Sequence, residues 1–197
     1  GYEYSLALNK DSDESIDEYE ARMGILTKDG LTEDVLKSLN VKVSADKVYL
    51  NSKIPFAYNY IDKNYTVNHM SDQQGEHGSH VAGIAAANAY IQQDDGTFAS
   101  ALESVKVQGV APDAQLVVMK VFGAGGGAYD SDYMAAIEDA IVLGCDSVNL
   151  SLGSGSPGFS RVDKDYAEIM DNIAKSGTVV SMSAGNSGYW AENAQLG

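Results

Sequence analysis

From residue 54 onward, short apolar runs alternate with stretches of helical periodicity, and this alternation constrains the fold more than any other feature of the chain. Ile54 to Tyr60 reads as a strand. His77 to Asn88 reads as a helix rich in small residues (Gly78, Ala82, Gly83, Ala85, Ala86, Ala87), which would let it approach another backbone closely. Leu116 to Phe122 is apolar apart from Lys120, the pattern of a strand buried on both faces. Ser131 is placed to cap a helix in which Tyr133, Met134, Ile137, Ala140 and Ile141 share one face while Glu138 and Asp139 point out. Ser147 to Leu152, Val162 to Ala174 and Thr178 to Ser183 continue as strand, helix and strand. Such an order with short links implies right-handed crossovers, so the fold class is α/β: a parallel sheet with helices on both faces. Ligands of these sheets collect beyond the carboxyl ends of the strands, which points to the residues just after 60, 122, 152 and 183.

Residues 1–53 have a different texture, an acidic helical insertion or N-terminal segment ahead of the α/β pattern of 54–197. Asp11 to Glu20 holds Asp11, Asp13, Glu14, Asp17, Glu18 and Glu20, while Ile16, Tyr19 and Met23 recur at helical spacing. Thr32 is placed to cap a second helix whose Val35, Leu36 and Leu39 share one face, so two surface helices covering a core are expected. Residues 89–108 interrupt the later pattern with a polar insertion that turns at Asp94-Asp95-Gly96-Thr97.

The 13 Lys+Arg against 28 Asp+Glu give a net charge of −15, which leaves no basic field to displace counterions from a nucleic-acid backbone or to meet an anionic membrane. A hydrophobic content of 44% is enough for a buried core and argues against disorder throughout. Cys145 is the single cysteine, so no disulfide forms within the chain and no cysteine-rich zinc site can be built. No apolar run is long enough to span a bilayer, and Gly1-Tyr2-Glu3-Tyr4 has neither the basic nor the apolar part of a signal peptide. A start at glycine and an abrupt stop at Gly197 read as part of a longer polypeptide.

Three segments carry candidate chemistry. Gly123-Ala124-Gly125-Gly126-Gly127-Ala128 formally fits the G-x-G-x-x-A dinucleotide fingerprint, but the acid that should follow the next strand is absent and Asp130 and Asp132 put negative charge where phosphate would sit. The other reading is a flexible loop or a strand edge along which an extended peptide pairs. Glu76-His77-Gly78-Ser79-His80-Val81-Ala82-Gly83 places two histidines three apart at a helix start; without H-E-x-x-H a metal pair is one reading, and one packed and one exposed histidine another. The glycine between them and the small residues that follow favour a histidine at the first turn of a buried helix, facing the strand ends. Ser181 to Gly188 ends a strand in a tight turn whose Asn186 serves either the backbone geometry or, through its carboxamide, a developing oxyanion.

Together these segments resemble the subtilisin-like serine proteases, the subtilases. His77-Gly78-Ser79-His80-Val81-Ala82-Gly83 is similar to the family's H-G-T-H-V-A-G motif, with Ser79 in place of threonine. Gly109-Val110-Ala111-Pro112, Asn149-Leu150-Ser151-Leu152-Gly153 and Ser183-Ala184-Gly185-Asn186 follow in the family's order. The polar insertion and the approach Lys53 to Tyr60 resemble most the large cell-envelope branch, the lactocepin-like peptidases.

The resemblance implies secretion or surface attachment and hydrolysis of protein or peptide substrates through a Ser-His-Asp triad. It implies that His77 is the general base, that His80 is structural and that Asn186 donates to the oxyanion. It further implies that Ser151, Leu152 and Gly153 pair with substrate backbone and, with Ser183 and Gly185, wall the specificity pocket, and that Gly125, Gly126 and Gly127 form the opposite edge. Subtilases often bind calcium, but the spacing around Asp94-Asp95-Gly96 matches no calcium loop; no cofactor is assigned. The sequence contains no D-[ST]-G before His77 and no G-T-S-M-A after it. The chain therefore reads as the central part of a catalytic domain, inactive by itself, with the aspartate upstream and the serine downstream. A non-catalytic subtilase-like binding domain and a histidine-metal hydrolase are the competing readings.

Overall fold

The computed structural model describes residues 13–69, 75–88, 90–95, 98–100, 102, 108–153 and 164–183. Three short helices lead: α1 (Ile16–Met23), α2 (Glu33–Ser38) and α3 (Ala45–Val48). Thr32 caps α2 as its position predicts, its Oγ1 accepting from the Val35 N–H at 3.3 Å. Then come β1 (Phe56–Asn59), α4 (His77–Ala86), the strands β2 (Tyr90–Gln92) and β3 (Phe98–Ser100), β4 (Val117–Lys120), α5 (Asp130–Val142), β5 (Ser147–Leu150), α6 (Lys164–Ser176) and β6 (Val179–Met182). Each strand and helix from residue 54 lies within two residues of its expected boundaries, apart from the polar insertion, which the structure resolves into the antiparallel β2–β3 hairpin around Asp94 and Asp95.

The fold is α/β with parallel strands. β1 pairs with β4 in parallel, Phe56 opposite Val117 through Asn59 opposite Lys120, and β5 pairs with β6 in parallel, Ser147 opposite Val179 through Leu150 opposite Met182. Among the described residues these are two separate pairs rather than one continuous sheet. α5 links them: it runs from the loop after β4 to β5, and its Ile137 meets Leu150 and Val180 together with Ile169 and Ile173 of α6. A two-stranded unit has little stability alone, so packing on these helices is what holds each pair. On the other side, Leu31, Leu39, Val41 and Val48 from the leading segment join Phe56, Tyr58 and Tyr60 in the same core.

Four local expectations are corrected. α5 begins at Asp130, not after a Ser131 cap: Tyr129 is the N-cap, without a side-chain bond, and its carbonyl accepts from the Asp132 and Tyr133 N–H groups. The acids Asp130 and Asp132 in the first turn supply the charge that a helix N-terminus favours. Asp139, expected to face solvent, is fully buried. β4 is half-buried along its length rather than enclosed on both faces. α4, expected to be a buried helix, is buried only at Ala86, and Gly78 and Gly83 have open space where a Cβ would stand. The close backbone approach expected of its small residues is present at its far end, where a Cβ on Gly109 would collide with the backbone of Ala86 and Ala87.

Candidate active site

His77 is the first residue of α4, and Glu76, His77, Ser79 and His80 line an open concavity at that end of the helix. All four are exposed, and the helix starts without a side-chain cap; the His80 N–H donates to the Glu76 carbonyl at 2.9 Å. Among the described residues the nearest charged contact is between His69 Nε2 and Glu76 Oε1, 3.9 Å apart. α4 is anchored from its other end: the N–H groups of Val110 and Ala111 donate to the carbonyls of Ile84 and Ala85 at 3.0 and 2.9 Å, and the Gly109 N–H to the carbonyl of Ala87 at 3.3 Å. The Gly109-Val110-Ala111-Pro112 segment thus docks the helix and leaves its histidine end clear. No group of three His, Cys, Asp or Glu side chains able to hold a metal occurs among the described residues, so the histidine pair has no third ligand there.

At the carboxyl ends of β5 and β6 the structure brings together two of the segments picked out by sequence. The Ser183 N–H donates to the Leu150 carbonyl at 3.2 Å, and its Oγ donates to the Leu152 carbonyl at 2.8 Å. Asn149 Nδ2 donates to Ser151 Oγ at 2.8 Å. Leu150, Leu152 and Ser183 are thus joined at this end, with Ser151 held by Asn149 and Gly153 next along the chain. Gly185 and Asn186 lie outside the described residues.

At the carboxyl end of β4, Gly126 turns the loop with φ +75° and its N–H donates to the Gly123 carbonyl at 3.0 Å. Gly125 and Gly127 face open space. This loop leads straight into α5, and α5 is tied to the turn after β1 by a contact that sequence reasoning missed: Lys63 Nζ reaches Asp132 Oδ1 at 2.6 Å. Lys63 takes φ 53°, and Asn59 holds the same turn, its Nδ2 donating to Asp62 Oδ2 and to the Thr66 carbonyl, both at 2.9 Å. The signal was present in the run Asn59-Tyr60-Ile61-Asp62-Lys63-Asn64, whose Asn and Asp residues favour turns bonded by side chains.

The Subtilase family profile matches residues 36–196, a stretch that includes this histidine at a helix start, the two joined strand ends and the glycine turn. The chain belongs to the subtilase family. Over 143 residues this subtilase chain is 41% identical to the PI-type proteinase of Lactococcus lactis subsp. cremoris, and 40% identical to the PII-type proteinase of Lacticaseibacillus paracasei; each match takes in 71% of the chain. It is 30% identical to the C5a peptidase of Streptococcus pyogenes over 149 residues, 75% of the chain. The matched stretch is 7% of the length of the two proteinases and 12% of the peptidase. The resemblance to the cell-envelope branch agrees with these relatives. No helix among the described residues is long and apolar enough to cross a membrane.

Proposed function

We propose that residues 54–197 are the central part of the catalytic domain of a secreted or surface-attached serine endopeptidase, with residues 1–53 as its leading segment. His77 acts as the general base, taking the proton from a serine and returning it to the leaving amine. Asn186 donates to the oxyanion; in subtilisin, an enzyme of the same family, loss of the asparagine donor costs about 10²–10³ in kcat. Ser151, Leu152 and Gly153 pair with the backbone of a protein or peptide substrate and, with Ser183 and Gly185, wall its specificity pocket, while Gly125, Gly126 and Gly127 line the other side. The aspartate and the serine come from segments outside residues 1–197, so this chain alone does not turn over substrate.

The observation that carries the reading is His77 standing clear at the first turn of α4, in a motif with subtilase spacing and in a chain of that family. Among the described residues β4 and β5 each pair along one edge, which accords with a domain completed by other segments. The test is fluorophosphonate labelling of the full-length protein and of its His77→Ala variant. Strong labelling that collapses in the variant is the expected result. An intact, folded full-length protein that does not label would replace this reading with a non-catalytic subtilase-like domain.

A further inference from the structure

Asp139 lies mid-way along α5 with 0% of its surface exposed. Its Oδ1 accepts from the Asn40 N–H at 2.7 Å and from Asn40 Nδ2 at 3.1 Å, and its Oδ2 accepts from the Tyr60 hydroxyl at 2.8 Å. Three parts of the fold meet on this carboxyl group: the segment after α2, the residue after β1, and α5. Among the described residues no cation pairs with it. Glu138 faces it from α5 and Tyr60 from the end of β1, with Tyr58 and Cys145 acting on Tyr60, while the segment after α2 presents only the uncharged Asn40.

We propose that Asn40, Tyr60 and Asp139 form an acid-stabilised clasp, in which proton uptake by Asp139 removes a buried charge and so favours the packed arrangement of α5 against the α2 segment and the end of β1. A buried carboxylate without a counter-charge is costly when ionised and much less so when neutral. Burial pushes the Asp139 carboxyl above its ordinary range, and the donors from Asn40 and Tyr60 offset that only in part. An acid that binds its proton more readily in the folded chain than in the unfolded one adds stability as pH falls through its folded pKa; above that pH the contribution is lost.

The test is equilibrium urea unfolding of the full chain and of Asp139→Asn between about pH 4 and 8, since the titration of all the other acids is common to both proteins. As pH falls, the folding constant of the parent chain relative to the variant rises, approaching about tenfold per pH unit between the unfolded and folded pKa values. The carboxyl carbon resonance of Asp139 should titrate in the same window. Tyr60→Phe removes a donor to the ionised form and moves that midpoint to higher pH; Asn40→Ala moves it the same way by less and serves if Tyr60→Phe does not fold. A stability ratio that is flat across the range, or that falls with acid, overturns the clasp, as does an Asp139 resonance that titrates in the ordinary carboxylate range.

Discussion

The two parallel strand pairs carry similar apolar runs, yet they differ in how they are covered. β1 is buried at every residue: Phe56 is 0% exposed, and the leading segment and α5 close over it. β6 is exposed at three of its four residues, with Val179 at 66%. Val180, Val148 and Leu150 face α5 and α6, while Ser147, Asn149, Val179 and Ser181 face outward. A continuous apolar run marks a strand able to be buried on both faces. Whether it is buried depends on which other segments reach it: among the described residues β1 is fully enclosed and β4 half-buried, while the second pair is covered only on the face that meets α5 and α6.

The sharpest way to break this comparison is to truncate equivalent apolar side chains in the two pairs. Phe56→Ala should destabilise the chain by about 3–5 kcal/mol in urea unfolding, because a fully enclosed aromatic ring leaves a cavity that the surrounding strands cannot collapse into. A loss below about 1 kcal/mol would mean that the leading segment does not seal the first pair as tightly as its burial indicates.

Next in size is Gln115, the clamp between the leading segment and the approach to β4. Its Oε1 accepts from the Leu26 N–H at 2.8 Å, and its Nε2 donates to the carbonyls of Leu26 and Ser52 at 2.9 and 2.6 Å. Gln115→Ala strips three backbone groups of their partner and should cost about 1–3 kcal/mol, measured by the same unfolding curves. No comparable clamp is seen on the second pair among the described residues, where the side-chain bonds between its segments are single ones, from Ser183 and from Thr178.

These ties also show where sequence was a sufficient guide and where it was not. Helical and strand periods located the elements from residue 54, because apolar spacing reports directly on which face meets the core. The Thr32 cap was equally legible, since its hydroxyl needs only its own next turn. Asp132 and Asp139 were not. They lie seven residues apart on one stripe of α5, and a stripe of acids reads as a solvated face. The stripe is covered instead by Lys63, Tyr60 and Asn40, from segments 69, 79 and 99 residues distant, and no local pattern separates an acid in water from one with polar partners so remote. At the candidate site, the His77 motif and the order of the strand ends were legible, whereas the docking of α4 through Gly109 to Ala111 rests on backbone bonds that have no side-chain signature.

Lys53 offers a pH-dependent effect whose sign sharpens the contrast. Its Nζ donates to the carbonyls of Pro112 and Ala114 at 2.7 and 2.5 Å, and burial pulls its pKa down to about 8 from 10.5, with Asp113 opposing. The folded chain therefore releases this proton more readily than the unfolded one. Relative to Lys53→Met, the parent chain should gain stability as pH rises from about 8 toward 10.5 and show no differential slope below that window. A neutral amine still has hydrogens for both carbonyls, so the clamp survives deprotonation while the desolvated charge is removed. Unfolding curves that run parallel for the two proteins across this range would place Lys53 in water, and the approach to β1 with it.

The smallest expected effect is at Val179. Its backbone N–H donates to the Asp146 carbonyl at 3.0 Å, but its side chain stands largely in solvent. Val179→Thr keeps the branched shape that a strand favours and adds a hydroxyl that water can satisfy, so stability should change by less than about 0.5 kcal/mol. The same exchange at a buried position would strand that hydroxyl without a partner and cost several times more. A substantial loss from Val179→Thr would therefore show that the outer face of the second pair is covered in solution, and it would erase the difference between the two strand pairs.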